Sequence, residues 1–486
     1  MKYTDGVQVN VRTGIIDSIL FCMFCQIELK GERLSSKRYM VYKGVYSMSL
    51  SRDLKNLFWK IPIPPALKEK MHSKYVQRKF ALEGKKDGEI HCVDDADLRG
   101  RYCDYVLNQP TRKNPMYREY EVHDSCKNSA TLIAYYLTQY SPDDHNDIWW
   151  GKGTTEWNNV AKAVPQFEGH RQPRLPGELG FYDLRIRDVM ARQIEMAKNY
   201  GVNVFSFYYY WFAGERILEK PLNMFLNDKT LDMPFMFCWA NENWTKRFSG
   251  TNDEILIGME NTKENYKAFI HEVIPFFSDP RYFRVNGRIV LQIYRPELIP
   301  NVENVLQYWR EETRKAVGVD LYLIACQSAS MIDFCSIGFD AENEWMQGTV
   351  KKVSKEITDQ IHSISKNFGG QVFDYEEMVL NKRYLIKTNR SKKVYPAVMP
   401  TWDNSARRNN KGTIWQNSSP DLYKRWLTDI ICEVNGRKEL DAPIVFINAW
   451  NEWGEGAYLE PDRDLGFAYL QATWEAKNEL KWGYEE

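Results

Sequence analysis

From Thr131 to the C-terminus, short apolar runs recur between helical patterns, and this alternation restricts the fold of the 486-residue chain more than any other feature. The runs are Thr131–Leu137, Val202–Phe207, Pro234–Cys238, Ile289–Tyr294, Leu321–Ala325, Gly338–Ala341, Val394–Val398 and Ile444–Ile447. Most are continuous rather than alternating, as parallel strands buried on both faces require. The helical patterns between them have proper ends. Asp183 can cap a helix through Tyr200 that Gly201 stops, Ser419–Pro420 opens one that closes near Asn435–Gly436, and Asn301 to Val317 ends at Gly318. Eight strands alternating with helices predict an α/β fold, a (β/α)8 TIM barrel, over residues 126–486. The sixth run is the least marked. A doubly wound open sheet is the alternative, but no G-x-G-x-x-G follows the first strand.

Residues 1–125 lack this alternation and read as a partly helical basic extension. Between Arg52 and Lys86 ten Lys and Arg face Asp53, Glu69 and Glu83, interleaved with Leu57, Phe58, Trp59, Ile61, Ile63 and Leu67. Such a segment suits an anionic membrane surface, or equally a solvated helix whose apolar side rests on the main domain. Residues 83–89 and 108–118 read as linker. The apolar stretch Ile15 to Leu29 carries Asp17, Gln26 and Glu28, too short and too polar for a span. No small-residue cleavage site follows it. The expectation is a cytoplasmic protein, with segment 52–86 a candidate peripheral contact to the inner membrane face.

Charge and cysteine usage narrow the function classes. Lys+Arg and Asp+Glu both number 65, so the chain lacks the net basic character of a dedicated nucleic-acid binder. The nine cysteines are odd in number and scattered, the pattern of a reduced chain. Cys238, Cys326 and Cys432 fall in apolar runs that read as core. Cys22 and Cys25 form a lone CxxC without a second pair, and the seven His form no HExxH, so neither metal nor cofactor is expected. Sixteen Trp and 29 Tyr exceed what a core requires. Many must pack between barrel and helices, while others suit a surface that stacks on sugar rings.

A barrel places function at the C-terminal ends of its strands. Strand 1 leads into Thr138–Gln139–Tyr140 and a long loop from Ser141 to Gly180. Strand 2 leads into Tyr208–Tyr209–Tyr210–Trp211, strand 3 into Trp239–Ala240–Asn241–Glu242–Asn243–Trp244, and strand 6 into Glu342–Asn343–Glu344–Trp345. Strand 7 gives Trp402–Asp403–Asn404, and strand 8 gives Trp450–Asn451–Glu452–Trp453–Gly454–Glu455–Gly456. A rim of carboxylates, amides and aromatic rings points to carbohydrate, with Tyr136, Gln139, Tyr208, Tyr210, Trp211, Trp239, Asn241, Glu242, Trp244, Glu344, Trp402, Asp403, Trp450, Asn451 and Trp453 as candidate contacts.

Glycosidic chemistry needs an acid for the departing oxygen and a second carboxylate. Glu452 and Glu455 are the best pair: three apart after the last strand, with Gly454 and Gly456 permitting a turn that aims both inward. Two carboxylates on so short a stretch favour a close pair and a retaining outcome over the wide inverting separation. One member should have a raised pKa and act as the acid. The competing assignment has these glutamates capping the next helix or pairing with Arg463. Glu242 and Glu344 are the reserve carboxylates, for substrate or for barrel-mouth structure.

The stretch Asn451–Glu452–Trp453–Gly454–Glu455–Gly456 resembles the E-W-x-E-G signature of glycoside hydrolase family 99. Together with Ala134–Tyr140, Phe205–Trp211 and Trp239–Trp244, it resembles the WbsX group, family-99-like proteins encoded with bacterial surface-polysaccharide synthesis. The resemblance covers Thr131 to the C-terminus. It implies the barrel, and a retaining mechanism in which the substrate's own 2-hydroxyl attacks C1 to give a 1,2-anhydro sugar. It further implies that Glu452 is the base on that hydroxyl and that Glu455 protonates the leaving oxygen and later activates the acceptor. Gly454 stands where the hydrolases more often carry His, so α-mannoside preference does not carry over with the rest.

Three functions fit these residues: a glycosyltransferase of O-antigen or capsule assembly, an endo-acting hydrolase of α-mannosidase type, and an inactive sugar-binding barrel. Asp462–Arg463–Asp464 matches the Asp-x-Asp of sugar-nucleotide transferases but sits in the wrong fold and reads as structural. Arg407, Arg408 and Lys411, after strand 7, lie where barrels hold phosphate and could meet a lipid-pyrophosphate-linked glycan, or could be solvated charge. The expected partner is thus an oligosaccharide or lipid-linked glycan.

Overall fold

The computed structural model describes residues 95–478, except for 109–113, 125, 127–129, 247–253, 329–331, 346–348 and 387–392. All belong to the unit that spans Val76–Glu486. The basic segment 52–86, the CxxC of Cys22 and Cys25, and the linker at 83–89 lie outside the described residues.

Eight parallel strand positions form the barrel: β1 Thr131–Tyr136, β2 Val204–Tyr209, β3 Phe235–Trp239, β4 Arg288–Ile293, β5 Leu321–Gln327, β6 Ala341–Glu344, β7 in two pieces, Val394–Tyr395 and Ala397–Val398, and β8 Ile444–Ile447. The two pieces of β7 flank Pro396, whose nitrogen carries no hydrogen for a ladder. Val394–Tyr395 pairs with β6 while Ala397–Val398 pairs with β8, and β8 pairs with β1, so the ring closes through the broken strand. Seven of the eight expected runs therefore coincide, in whole or in part, with strands. The least marked one is displaced: Gly338 ends a 3-10 turn with φ +103°, and β6 starts at Ala341, which draws Glu342, Asn343 and Glu344 into the barrel wall.

Helices α1 Arg187–Asn199, α2 Glu219–Asn227, α3 Lys263–Val273, α4 Val302–Val317, α5 Tyr375–Leu380, α6 Pro420–Gly436 and α7 Ala468–Asn478 follow the strands. α4 stops at Gly318 in the left-handed region, and α6 is capped by Ser419 Oγ, which accepts from Leu422 N at 3.3 Å. α1 begins later than expected, because Asp183 spends its carboxylate on Arg185, accepting from its backbone N at 2.9 Å and from its guanidinium. Cys432, on α6, is exposed rather than in the core, whereas Cys238 and Cys326 are buried.

Inside the barrel, Tyr135, Ser206, Gln292 and Asn343 form a fully buried polar layer. Gln292 Nε2 donates to Tyr135 Oη and to Asn343 Oδ1, each at 2.8 Å, which satisfies groups that would otherwise cost stability in an apolar interior. The outer wall absorbs much of the aromatic excess. Trp239 stacks on Phe269 of α3 at 3.9 Å, and Trp309 of α4 donates its indole hydrogen to Tyr266 O at 2.7 Å. Residues 114–124 run along this unit: Arg118 bridges to Gly466, and His123 stacks on Trp474 of α7 at 4.1 Å. Among the described residues no helix is long and apolar enough to cross a membrane.

Candidate active site

The C-terminal ends of the strands enclose a cleft of about 560 Å³. Its aromatic lining comes from Tyr208 near the end of β2, Tyr210 just after it, Trp244 after β3, Tyr294 after β4 and Trp345 after β6. Tyr294 meets Trp345 edge-on at 4.8 Å, and Tyr208 stacks near Tyr210 at 6.1 Å, so the rings form a continuous apolar floor of the kind that accepts the C–H face of a sugar. Polar groups complete the wall: Gln139, Glu242, Asn243, Arg295, Asn404, Arg407, Arg408, Glu452 and Glu455.

Glu452 and Glu455 come from one bend. Asn451–Glu452 pairs with Ala457–Tyr458, a 3-10 turn covers Trp453–Glu455, and Gly456 closes it at φ +58°, where a Cβ would also lie 3.0 Å from Asp403 O. Gly454 is needed for a different reason than the one its sequence position suggested. Its dihedral is ordinary, but a Cβ there would lie 1.8 Å from Glu156 Oε1. The bend is held from beneath. Asn451 Oδ1 accepts from Leu137 N at 2.8 Å, Trp453 stacks on Tyr458 at 3.7 Å, and the Trp453 indole donates to Glu460 at 2.6 Å.

One cation organises the carboxylates. Arg407, on the short helix Ser405–Arg408 after β7, places Nη2 on Glu452, Nη1 on Glu455 at 2.9 Å and Nε on Glu156 at 2.9 Å. It is neither solvated nor free for phosphate, as the sequence had allowed, and the glutamates pair with it rather than with Arg463. Burial pushes the Glu452 carboxyl well above the usual range; Arg407 opposes this, while Glu455 and Glu156 add to it. Burial likewise raises Glu455 and Glu156 against the pull of Arg407. One guanidinium cannot neutralise three carboxylates, so the cluster favours keeping a proton. The Glu455 side chain is 20% exposed and Glu452 5%, so Glu455 is the member that presents itself to the cleft.

Of the residues expected to contact substrate, Gln139, Tyr208, Tyr210, Glu242 and Trp244 line the cleft with the glutamate pair. The others stand behind it, for reasons visible in their partners. Tyr136 turns to α1, donating to Gln193 at 2.6 Å, and Trp211 and Trp239 pack on Phe269. Asn241 Nδ2 donates to Arg295 O at 2.8 Å, and Glu344, buried within β6, accepts from Ala397 N at 3.4 Å. Trp402 packs edge-on against Trp415, while Trp450 lies against Phe205. Asn451 and Trp453 hold the bend as described. Asp403 is fully buried, accepting from His170 at 2.7 Å and Gln172 at 2.7 Å with Arg174 beside it. Burial would raise its carboxyl, but His170 and Arg174 hold it well below the usual range. The Asp-x-Asp string is structural: Asp462 accepts from Leu465 N at 2.5 Å and from Tyr458 at 2.7 Å, and Arg171 binds Asp464 at 2.7 Å.

Sequence reasoning missed Glu156, Tyr294 and Arg295. Tyr294 and Arg295 directly follow β4 and were discoverable as a strand end, whereas Glu156 arrives from the long loop after β1, where no strand anchors the register.

The profile described as Glycosyltransferase WbsX matches residues 132–473. Protein WxcX of Xanthomonas campestris pv. campestris (strain B100) is 42% identical over 386 residues, which are 78% of this chain and 55% of that protein, and its counterpart in a second strain is 39% identical. The chain thus spans about half the length of the curated relatives it matches. Among solved structures, the GH99 endo-alpha-mannosidase from Bacteroides thetaiotaomicron is similar at 15% identity and TM-score 0.41, over 72% of this chain and 97% of that one. A glycoside hydrolase-like protein matches at 14% identity and TM-score 0.44, over 74% of this chain and 97% of that one. With its profile spanning most of the barrel, the chain belongs to the WbsX glycosyltransferase family.

Proposed function

We propose that this protein is a carbohydrate-active enzyme of bacterial surface-polysaccharide biosynthesis, O-antigen or capsule, that transfers a glycosyl group with retention of configuration. The observation that carries the reading is the convergence of Glu452 and Glu455 on the two Nη atoms of Arg407 at the edge of a ring-lined cleft. Two carboxylates on one guanidinium lie on the same side of a bound sugar, which suits a base serving the 2-hydroxyl beside an acid serving the glycosidic oxygen. In the first step Glu452 takes the proton of the 2-hydroxyl, O2 bonds to C1, and the leaving oxygen departs with the proton of Glu455. In the second, an acceptor hydroxyl bonds to C1 as Glu455 takes its proton, the C1–O2 bond breaks, and O2 recovers its proton from Glu452. The acceptor is a sugar hydroxyl in transfer and water in hydrolysis. The family's description favours transfer, and hydrolysis of an α-mannoside type is the second reading, favoured by the same pair of glutamates. Arg408, exposed at the cleft, suits a phosphate-bearing, lipid-linked donor.

Incubation with free and lipid-linked oligosaccharides, read by mass spectrometry, separates the two: lengthened products support transfer and shortened ones hydrolysis. Unchanged glycans with every substrate would leave a binding barrel. Glu455→Gln is expected to abolish either product while sugar binding persists; an undiminished rate would remove its acid role.

A further inference from the structure

Behind the glutamate pair lies a third carboxylate that the reaction as written does not use. Glu156 is fully buried. Its Oε1 accepts from Arg407 Nε at 2.9 Å and from Asn159 Nδ2 at 3.4 Å, while Oε2 is enclosed with no hydrogen-bond partner among the described residues. A buried carboxylate oxygen without a partner lowers stability, so its presence calls for a function. Two features tie Glu156 to the bend. The neighbouring Trp157 packs on Trp453 at 5.6 Å, and position 454 lacks the Cβ that would lie 1.8 Å from Glu156 Oε1 and 2.8 Å from Arg407 Nε. Glycine at 454 and glutamate at 156 therefore form one arrangement.

We propose that Glu156 is a positioning residue for the reaction: it clamps the Nε edge of Arg407, so that both Nη atoms face Glu452 and Glu455, and its negative charge offsets the guanidinium so that the pair keeps a proton to donate. This rests on the reading of that pair as base and acid. Arg407 alone would favour two ionised carboxylates and leave the acid spent. With Glu156 present, three carboxylates share one guanidinium, and full ionisation would leave a net charge of −2 in a buried cluster. Two further cations face it, Lys162 beside Glu156 and Arg408 beside Glu455, but both are exposed, so solvent screens them and they offset this charge only in part. Arg407 and Lys162 face Glu156. Tyr140, Tyr208 and Tyr210 lie near Glu452 and are raised by burial, so they stay neutral. Arg408 faces Glu455 from the cleft edge, with the raised Tyr294 nearby.

The test is an infrared titration of the ligand-free protein, following the carbonyl band of protonated buried carboxyls, with Glu452→Gln and Glu455→Gln identifying the bands of the pair. Glu156→Gln keeps the shape and removes the charge. It is expected to shift the pair's midpoint down by at least one pH unit, whereas Glu156→Asp, which retains the charge, should stay near the wild-type midpoint. A folded Glu156→Gln protein with an unmoved midpoint overturns the proposal. Should that variant not fold, Glu156→Ala removes the same charge without an amide in its place and must give the same downward shift. If neither folds, Glu156 is a structural residue and the proposal fails. Because no substrate enters the titration, its failure leaves the proposed glycosyl chemistry standing. A shifted midpoint in a protein inactive on every glycan would instead sink that chemistry alone.

Discussion

The side-chain amide of Asn451 serves Leu137 as a strand partner would: Oδ1 accepts from Leu137 N at 2.8 Å and Nδ2 donates to Leu137 O at 3.0 Å. The end of β1 is thereby latched to the bend that carries Glu452. Asn451→Ala leaves two buried backbone groups unsatisfied, each costing about 1–3 kcal/mol. Urea unfolding should show a loss of about 2–4 kcal/mol in stability, and glycan turnover should fall with it because the bend loses its anchor. A stability change under 0.5 kcal/mol would mean that water replaces the amide.

Arg407 is the counterion of three buried carboxylates, and its planar fork reaches all of them at once. Arg407→Met removes the charge and should raise the pair's midpoint, leaving Glu452 protonated and unable to serve as the proposed base near neutrality. Turnover should drop on the order of 100-fold or more, as for other lost general bases, with the residual activity moving to higher pH. Arg407→Lys should rescue little, since one ammonium cannot meet three carboxylates in this geometry. Near-normal kcat/KM in the lysine variant would show that charge alone suffices.

Asp403 lies below the cleft, where sequence reading had placed it among the substrate contacts. Asp403→Asn strips His170 and Arg174 of their buried anionic partner. Breaking a buried pair from one side costs about 3–5 kcal/mol. The expected result is a fall in Tm and urea midpoint with glycan affinity of the surviving folded protein unchanged. Loss of affinity at full stability would return Asp403 to the binding surface.

The barrel was legible because its strands are continuous apolar runs with cappable helices between them, and hydrophobic periodicity is a local property. β6 drifted because Gly338 to Ala341 offers too little apolar length to fix a start. The glutamate pair was legible because both members share one short stretch. Aromatic residues at strand ends were the least informative. Trp239, Trp402, Trp450 and Trp453 look like sugar platforms in sequence, yet all are fully buried: Trp239 ends β3, where a register of one residue decides between cleft and wall, and the other three lie beyond the barrel strands, where no local pattern fixes which way a side chain turns. Glu156 and Arg407 meet across 251 positions, and no single-chain pattern announces such a pair.

Glu460 supplies a pH signature of the support beneath the site. It is buried and accepts from Trp453 Nε1, Tyr182 Oη and Gln193 Nε2, yet burial pushes its carboxyl up to about 7. In the unfolded chain the same group titrates near the ordinary glutamate value. Between those two values the folded state binds the proton and the unfolded state does not, so this group's stabilisation is full at pH 4 and declines as pH rises towards 7, then stays level. At 1.36 kcal/mol per pH unit the change is about 3 kcal/mol. Urea unfolding of wild type minus Glu460→Gln, measured from pH 5 to 8, isolates it from Asp403, whose contribution has the opposite sign and is lost only in stronger acid. The difference should fall with rising pH and flatten above about 7. A difference independent of pH would mean that the three donors hold Glu460 ionised throughout.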